Sequence, residues 1–131
     1  MKRVHKEKQY DFANGHCHNF AIALCRSDPS TYTKMGAFLA SGYAGEDPDA
    51  EILIHAFAMT ADGLCEDVRG KHASIEEMWE SLQIDVEAYD YVNENGEEFD
   101  SESDLMASIG PCGATLNEEA IVSAINIIES I

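Results

Sequence analysis

Gly15-His16-Cys17-His18-Asn19-Phe20-Ala21 opens a short apolar run that ends at Arg26-Ser27-Asp28-Pro29. From Cys17 onward, apolar residues fall at Cys17, Phe20, Ala21, Leu24 and Cys25. This is the i, i+3, i+4, i+7, i+8 spacing of one helical face, and it predicts a helix over 16–27. Asn14 and Gly15 suit its entry and Pro29 its stop. Cys17 then stands in the first turn, where backbone N–H groups lack intrahelical partners and the helix dipole favours an anion. A thiol placed there ionises below its usual range, and the same groups can donate to an oxyanion. A Cys on an apolar helix face is also, more plainly, a small buried hydrophobe. What separates the two readings lies further along the chain.

With 131 residues the chain is read as one domain, large enough for a core and too small for two. Within it, residues 1–11 read as a loose arm, 14–70 carry the chemistry, and 72–131 form an acidic half. An apolar fraction of 45% marks a globular chain. No apolar run approaches the roughly 20 residues that span a bilayer. The basic start, Met1-Lys2-Arg3-Val4-His5-Lys6-Glu7-Lys8, is not followed by an apolar stretch, so no secretory signal is expected and a cytoplasmic location is. Cys17, Cys25, Cys65 and Cys112 form no C-x-x-C pair and are expected as free thiols.

Charge is distributed unevenly. All eight Lys and Arg residues lie at or before Lys71, accompanied by ten carboxylates, whereas the rest of the chain has fifteen carboxylates and no Lys or Arg. Such a half repels nucleic acid and anionic membrane and favours a basic protein surface, or simply keeps the chain in solution.

Downstream, Met35 to Tyr43 has the length and composition of a strand, and 44–49 is a polar loop. A clear strand follows over 51–59, then a hairpin turn at Asp62-Gly63 and a return strand over 64–68. Ser74 caps a helix over 75–82 with Glu77 at the capping-box position. The alternation in 84–92 predicts a half-solvated strand, and 97–104 a carboxylate-rich loop or edge strand. Gly110-Pro111-Cys112-Gly113 is a break, and a last helix runs from about Asn117. On strand 51–59 side chains alternate, so Leu53, His55, Phe57 and Met59 share one face and Ile54, Ala56 and Ala58 the other. A buried His there needs a partner. The hairpin brings Asp67 to the level of His55 or a residue away, where it can accept Nδ1–H and leave Nε2 free for a thiol proton. Without Cys17, this pair would read as a satisfied core histidine beside an aspartate.

Taken in order, 15–21, His55-Ala56-Phe57-Ala58-Met59 and Asp62-Gly63-Leu64-Cys65-Glu66-Asp67 resemble the core of transglutaminase-like and papain-like cysteine proteins. The resemblance covers about residues 14–70. It implies an α+β fold in which an N-terminal Cys-bearing helix packs on an antiparallel sheet of about three to five strands, flanked by helices. It makes Cys17 the nucleophile, His55 the base and Asp67 its orienter. The Cys17 backbone N–H and Asn14 would then serve the oxyanion, with His16, His18 and Phe57 around the substrate. Phe57 stands where Trp is usual, and Val68-Arg69-Gly70 follows Asp67 where a proline-containing sequence is usual.

Other constellations are poorer. The His and Cys residues lack the close pairs of a zinc site, and His16 and His18, two apart on a helix, point in different directions. Asn93, Asn95, Gly96 and Glu102 match an EF-hand loop, but Tyr91 occupies its first ligand position. Neither a metal nor another cofactor is expected. The remaining rival is a non-catalytic acidic binding or inhibitor protein. It would present the carboxylates of 85–104 to a basic partner, or use the pocket beside Cys17 without turnover. The expected function is thiol-based acyl transfer on a peptide or protein, with a basic one favoured.

Overall fold

Small side chains on one face of a long hairpin set the architecture. Strands β1 (Tyr32–Ser41) and β2 (Glu51–Thr60) pair antiparallel, with Ala37 opposite Ala56 and Met35 opposite Ala58. These residues are buried against helix α1 (Cys17–Ser27), whose Phe20, Ile22 and Leu24 are almost fully enclosed. Alanines under a helix let it sit close to the sheet, where dispersion contacts are densest. The structure, a computed structural model, describes residues 16–43 and 49–130. The expectations for the 1–11 arm, for Asn14 and Gly15, and for most of the 44–49 loop lie outside the described residues.

After the Asp62-Gly63 turn, β3 (Cys65–Asp67) returns beside β2, and a second tight turn leads to β4 (Gly70–His72). Gly63 and Gly70 have φ of 91° and 126°, values that side chains with a Cβ resist. The sheet has six strands in the order β4-β3-β2-β1-β5 (β5, Tyr91–Val92), with β6 (Glu97–Phe99) also pairing β1. Helix α2 (Ile75–Leu82) covers the face opposite α1. There, Met78 joins Phe38, Phe57, Met59 and Cys65 in a second core. Ser74 Oγ accepts the Glu77 N–H, and the Glu77 carboxylate accepts the Ala73 N–H, closing the predicted cap.

One register shift corrects the predicted faces of β2. Phe38 pairs His55, but Leu39 pairs Leu53, so Ile54 is an extra residue. Leu53 therefore joins the α1 core with Ala56 and Ala58, while Ile54 joins Phe57 and Met59 beneath α2.

The predicted strand over 84–92 is not formed. Asp85 accepts the Glu87 N–H and starts a 3-10 turn, Val86–Ala88, and only β5 (Tyr91–Val92) joins the sheet. The alternation there reflects acidic side chains facing water from a turn. Strand β6 (Glu97–Phe99) pairs β1 and leads into an unforeseen helix, α3 (Glu102–Ile109), capped by Ser101 Oγ on the Asp104 N–H. A 3-10 turn (Gly110–Cys112) and a connector lead to α4 (Glu118–Ser130), whose Ile121 and Ala124 close the α1 core. Arg26 at the end of α1 binds Glu102 and Glu118 at 2.8 and 2.9 Å, joining it to the starts of α3 and α4. The fold is α+β with an antiparallel sheet and helices on both faces. No helix among the described residues is long and apolar enough to cross a membrane.

Candidate active site

Helix α1 begins at Cys17, with His16 at its N-cap. The N–H groups of its first turn have no intrahelical acceptors, which is why an anion is favoured there. The thiol is 7% exposed and lies against β2, where it interacts with the His55 ring and the Ala56 backbone N–H, and with the adjacent His18 ring. His55 Nε2 donates to Asp67 Oδ2 at 2.8 Å, with both residues 3% exposed. Cys17, His55 and Asp67 therefore meet in one buried group.

Two details correct the expectation. Continuing the β2–β3 register from Ala58 opposite Glu66 sets Asp67 opposite Phe57, two residues short of the level of His55 and diagonal to it. The carboxylate reaches Nε2, so Nδ1 is the ring nitrogen left for the thiol, the reverse of the predicted use. The side from which Asp67 approaches decides this.

Asp67 is itself held from the other side. Its Oδ2 accepts from Arg69 Nη2 at 2.6 Å and Nε at 3.0 Å, and its Oδ1 accepts the Arg69 N–H at 2.9 Å. Glu66, just before it, is fully buried and accepts the Tyr32 hydroxyl.

Burial alone would push the Cys17 thiol up. The His18 and His55 rings and the Ala56 N–H outweigh it and bring the thiol down to about 6. Burial would lower His55, but the hydrogen bond to Asp67 and the interaction with Cys17 raise it to about 9. Burial would likewise raise Asp67, yet His55 and Arg69 hold its carboxyl at about 2. Between these limits the site holds a thiolate beside an imidazolium. The other thiols go the opposite way. Burial, then Glu102, pushes Cys25 up to about 12, and burial with Glu98 and Asp67 pushes Cys65 up to about 11. Burial with Glu51 and Glu97 raises Cys112. All four cysteines are free.

Cys17 and His18 form one wall of a cavity of about 270 Å³, with residues 52–54 and 112–114 forming the others. Two larger depressions, of about 380 and 390 Å³, lie elsewhere. The first sets the un-ionised Cys25 beside Asp100 and the Arg26–Glu102 ion pair, and the second has neither Cys nor His, so neither places an ionised thiol beside an imidazole. Phe57 does not reach the cavity, against expectation. It is fully buried under α2, and its ring lies 6.3 Å from the His55 ring, stacked with it, so it braces the histidine. His16 is not a wall residue either, and its Nδ1 lies 3.1 Å from Asn19 Nδ2. Asn14 lies outside the described residues.

The connector before α4 was not anticipated as part of the site. His18 Nε2 donates to the Thr115 carbonyl at 2.7 Å, and Asn19 Oδ1 accepts the Asn117 N–H at 3.2 Å. These bonds hold residues 112–114 over the cavity. Arg69, also missed, was the basic residue closest in sequence to Asp67 and could have been found on that ground. Among the described residues, no group of three or more His, Cys, Asp or Glu side chains is arranged to hold a metal. Compared with family models, curated proteins and solved structures, the chain matches none.

Proposed function

We propose that this protein is a thiol-dependent acyl-transfer enzyme acting on an amide of a peptide or protein, by hydrolysis, deamidation or transamidation. The observation that carries this reading is the buried Cys17–His55–Asp67 group beside an open cavity, in which the thiol is lowered and the imidazole raised. Cys17 thiolate attacks the carbonyl carbon, and His55, protonated and oriented by Asp67, gives a proton to the leaving nitrogen. The same imidazole then takes a proton from the incoming water or amine. A transglutaminase-like or papain-like core is the arrangement we infer for residues 16–70. It is supported by a Cys-initiated helix lying on a sheet whose second and third strands carry His and Asp in that order. Carboxylates Glu51 and Glu97, both close enough to act on the cavity residue Cys112, support a basic substrate approaching from that side.

The test is alkylation by iodoacetamide followed residue by residue with mass spectrometry from pH 4 to 10. Cys17 should react with an inflection near 6 while Cys25, Cys65 and Cys112 stay slow at neutral pH. His55→Gln should move the Cys17 inflection upward. Equal reactivity of the four thiols at neutral pH would sink the enzyme reading and leave the acidic surface as the functional part.

A further inference from the structure

His18 has one nitrogen anchored to the backbone and the other turned toward the thiol. Its Nε2 lies 2.7 Å from the Thr115 carbonyl oxygen, which can only accept, so Nε2 carries a hydrogen in every protonation state. The residue is 3% exposed, and its Nδ1 makes no hydrogen bond of good geometry among the described residues. Its interaction there is with the Cys17 sulfur, whose charge is lost when it bonds to carbon, and this frees Nδ1 for a nearby acceptor. Nδ1 is the nitrogen left for the Cys17 side of the ring, and both residues form the same cavity wall.

On the acyl-transfer reading, on which this inference rests, we propose that His18 is a further catalytic residue, donating through Nδ1–H to the carbonyl oxygen of the substrate as Cys17 attacks. Cys17 Sγ forms the carbon–sulfur bond, and the carbonyl π pair moves onto oxygen, which accepts hydrogen bonds from His18 Nδ1–H and from the Cys17 backbone N–H. When that pair returns, the carbon–nitrogen bond breaks and His55 gives its proton to the departing nitrogen. His18 keeps its own proton throughout. Burial disfavours the cation, but Cys17 and the Thr115 carbonyl outweigh it and raise the ring above its usual range, toward the form in which Nδ1 also carries a hydrogen. The anchor on Thr115 fixes the ring before substrate arrives, and a donor that needs no reorganisation is most effective.

Two reagents separate this role from simple ionisation of the thiol. Iodoacetamide alkylates sulfur by displacement at a saturated carbon and creates no oxyanion, whereas 4-nitrophenyl acetate acylates it through one and needs no acid for its leaving group. His18→Gln keeps an N–H able to reach Thr115 but none at the Nδ1 position, and His18→Asn does the reverse. With folding checked by circular dichroism, at a pH above each variant's own thiol inflection, His18→Gln should lose roughly 10²–10³-fold in acylation rate while its alkylation changes by less than about tenfold. His18→Asn should recover much of the acylation. Parallel losses in both reactions, or no loss of acylation in His18→Gln, overturn the donor role while leaving the acyl-transfer reading intact. A wild-type protein alkylated selectively at Cys17 but never acylated overturns both.

Discussion

Replacing Asp67 by Asn removes a charge but little volume, and its effect follows from the hydrogen bonds around it. His55 Nε2 donates to that carboxylate at 2.8 Å in a site where both groups are almost fully enclosed. A charge-assisted hydrogen bond of this kind contributes about 2–3 kcal/mol to the protonated imidazole, and each pKa unit corresponds to about 1.4 kcal/mol. Losing it should therefore lower His55 by about 1.5–2 units from its value of about 9. In the wild type, the thiolate–imidazolium pair spans the interval from about 6 to about 9. In Asp67→Asn that interval should shrink by more than half, because the imidazole gives up its proton earlier and then no longer supports the thiolate by its charge. The sign is definite. Above pH 7 the variant's thiol meets a neutral ring, so its ionisation moves up while that of the ring moves down. The thiolate is followed by its absorbance near 240 nm, and the imidazole by its NMR titration, both across pH 5–10. An interval of unchanged width in a folded Asp67→Asn protein would refute the claim that this carboxylate sustains the ion pair.

Gly36 leaves room for the Phe57 ring, since a Cβ there would collide with its Cε2 and Cζ atoms. Gly36→Ala should destabilise the fold by about 1–3 kcal/mol in urea denaturation, and slow Cys17 alkylation by disturbing the ring stacked on His55. Met78 is fully buried in the core that includes Phe57, and Met78→Ala should cost about 2–5 kcal/mol by the same assay. Ser101→Ala removes the cap on the Asp104 N–H and should cost about 1 kcal/mol, seen as a lower Tm, with the Cys17 pH profile unchanged. Protein stability should also fall as pH drops from about 4 toward 2. The Asp67 carboxyl, held at about 2 in the folded state, stabilises that state only while ionised, so its contribution is complete above the ordinary carboxylate range and is lost on acidification.

How much of this was legible depended on whether a feature leaves a side-chain signature. The apolar stripe from Cys17 to Cys25 was enough to place α1, because helical periodicity survives in a short segment. Asp62-Gly63 likewise gave the hairpin that brings Asp67 back toward His55. The register shift at Ile54 was invisible, because an extra residue in a strand leaves the composition unchanged and only exchanges the faces. At 84–92 the alternation misled, since exposed acidic residues alternate with apolar ones in a turn as readily as in a strand. Helix α3 did carry its signal: a Ser101 cap, with Leu105 and Ile109 four apart. The surrounding carboxylates hid it. The Thr115 contact could not have been read at all, because a backbone carbonyl has no residue type.

The pairing of α1 with α4 brings together the first and last helices of the described chain, and His18 reaches an acceptor 97 positions away. Contacts so distant in sequence close late, after the hairpin and the local helices have formed. During synthesis, a chain still lacking residues from 112 onward already has its sulfur and imidazole, but neither the roof above them nor the anchor for the second ring. Reactivity would thus emerge as one of the last events of folding, so that an unfinished chain carries a less dangerous thiol than a finished one.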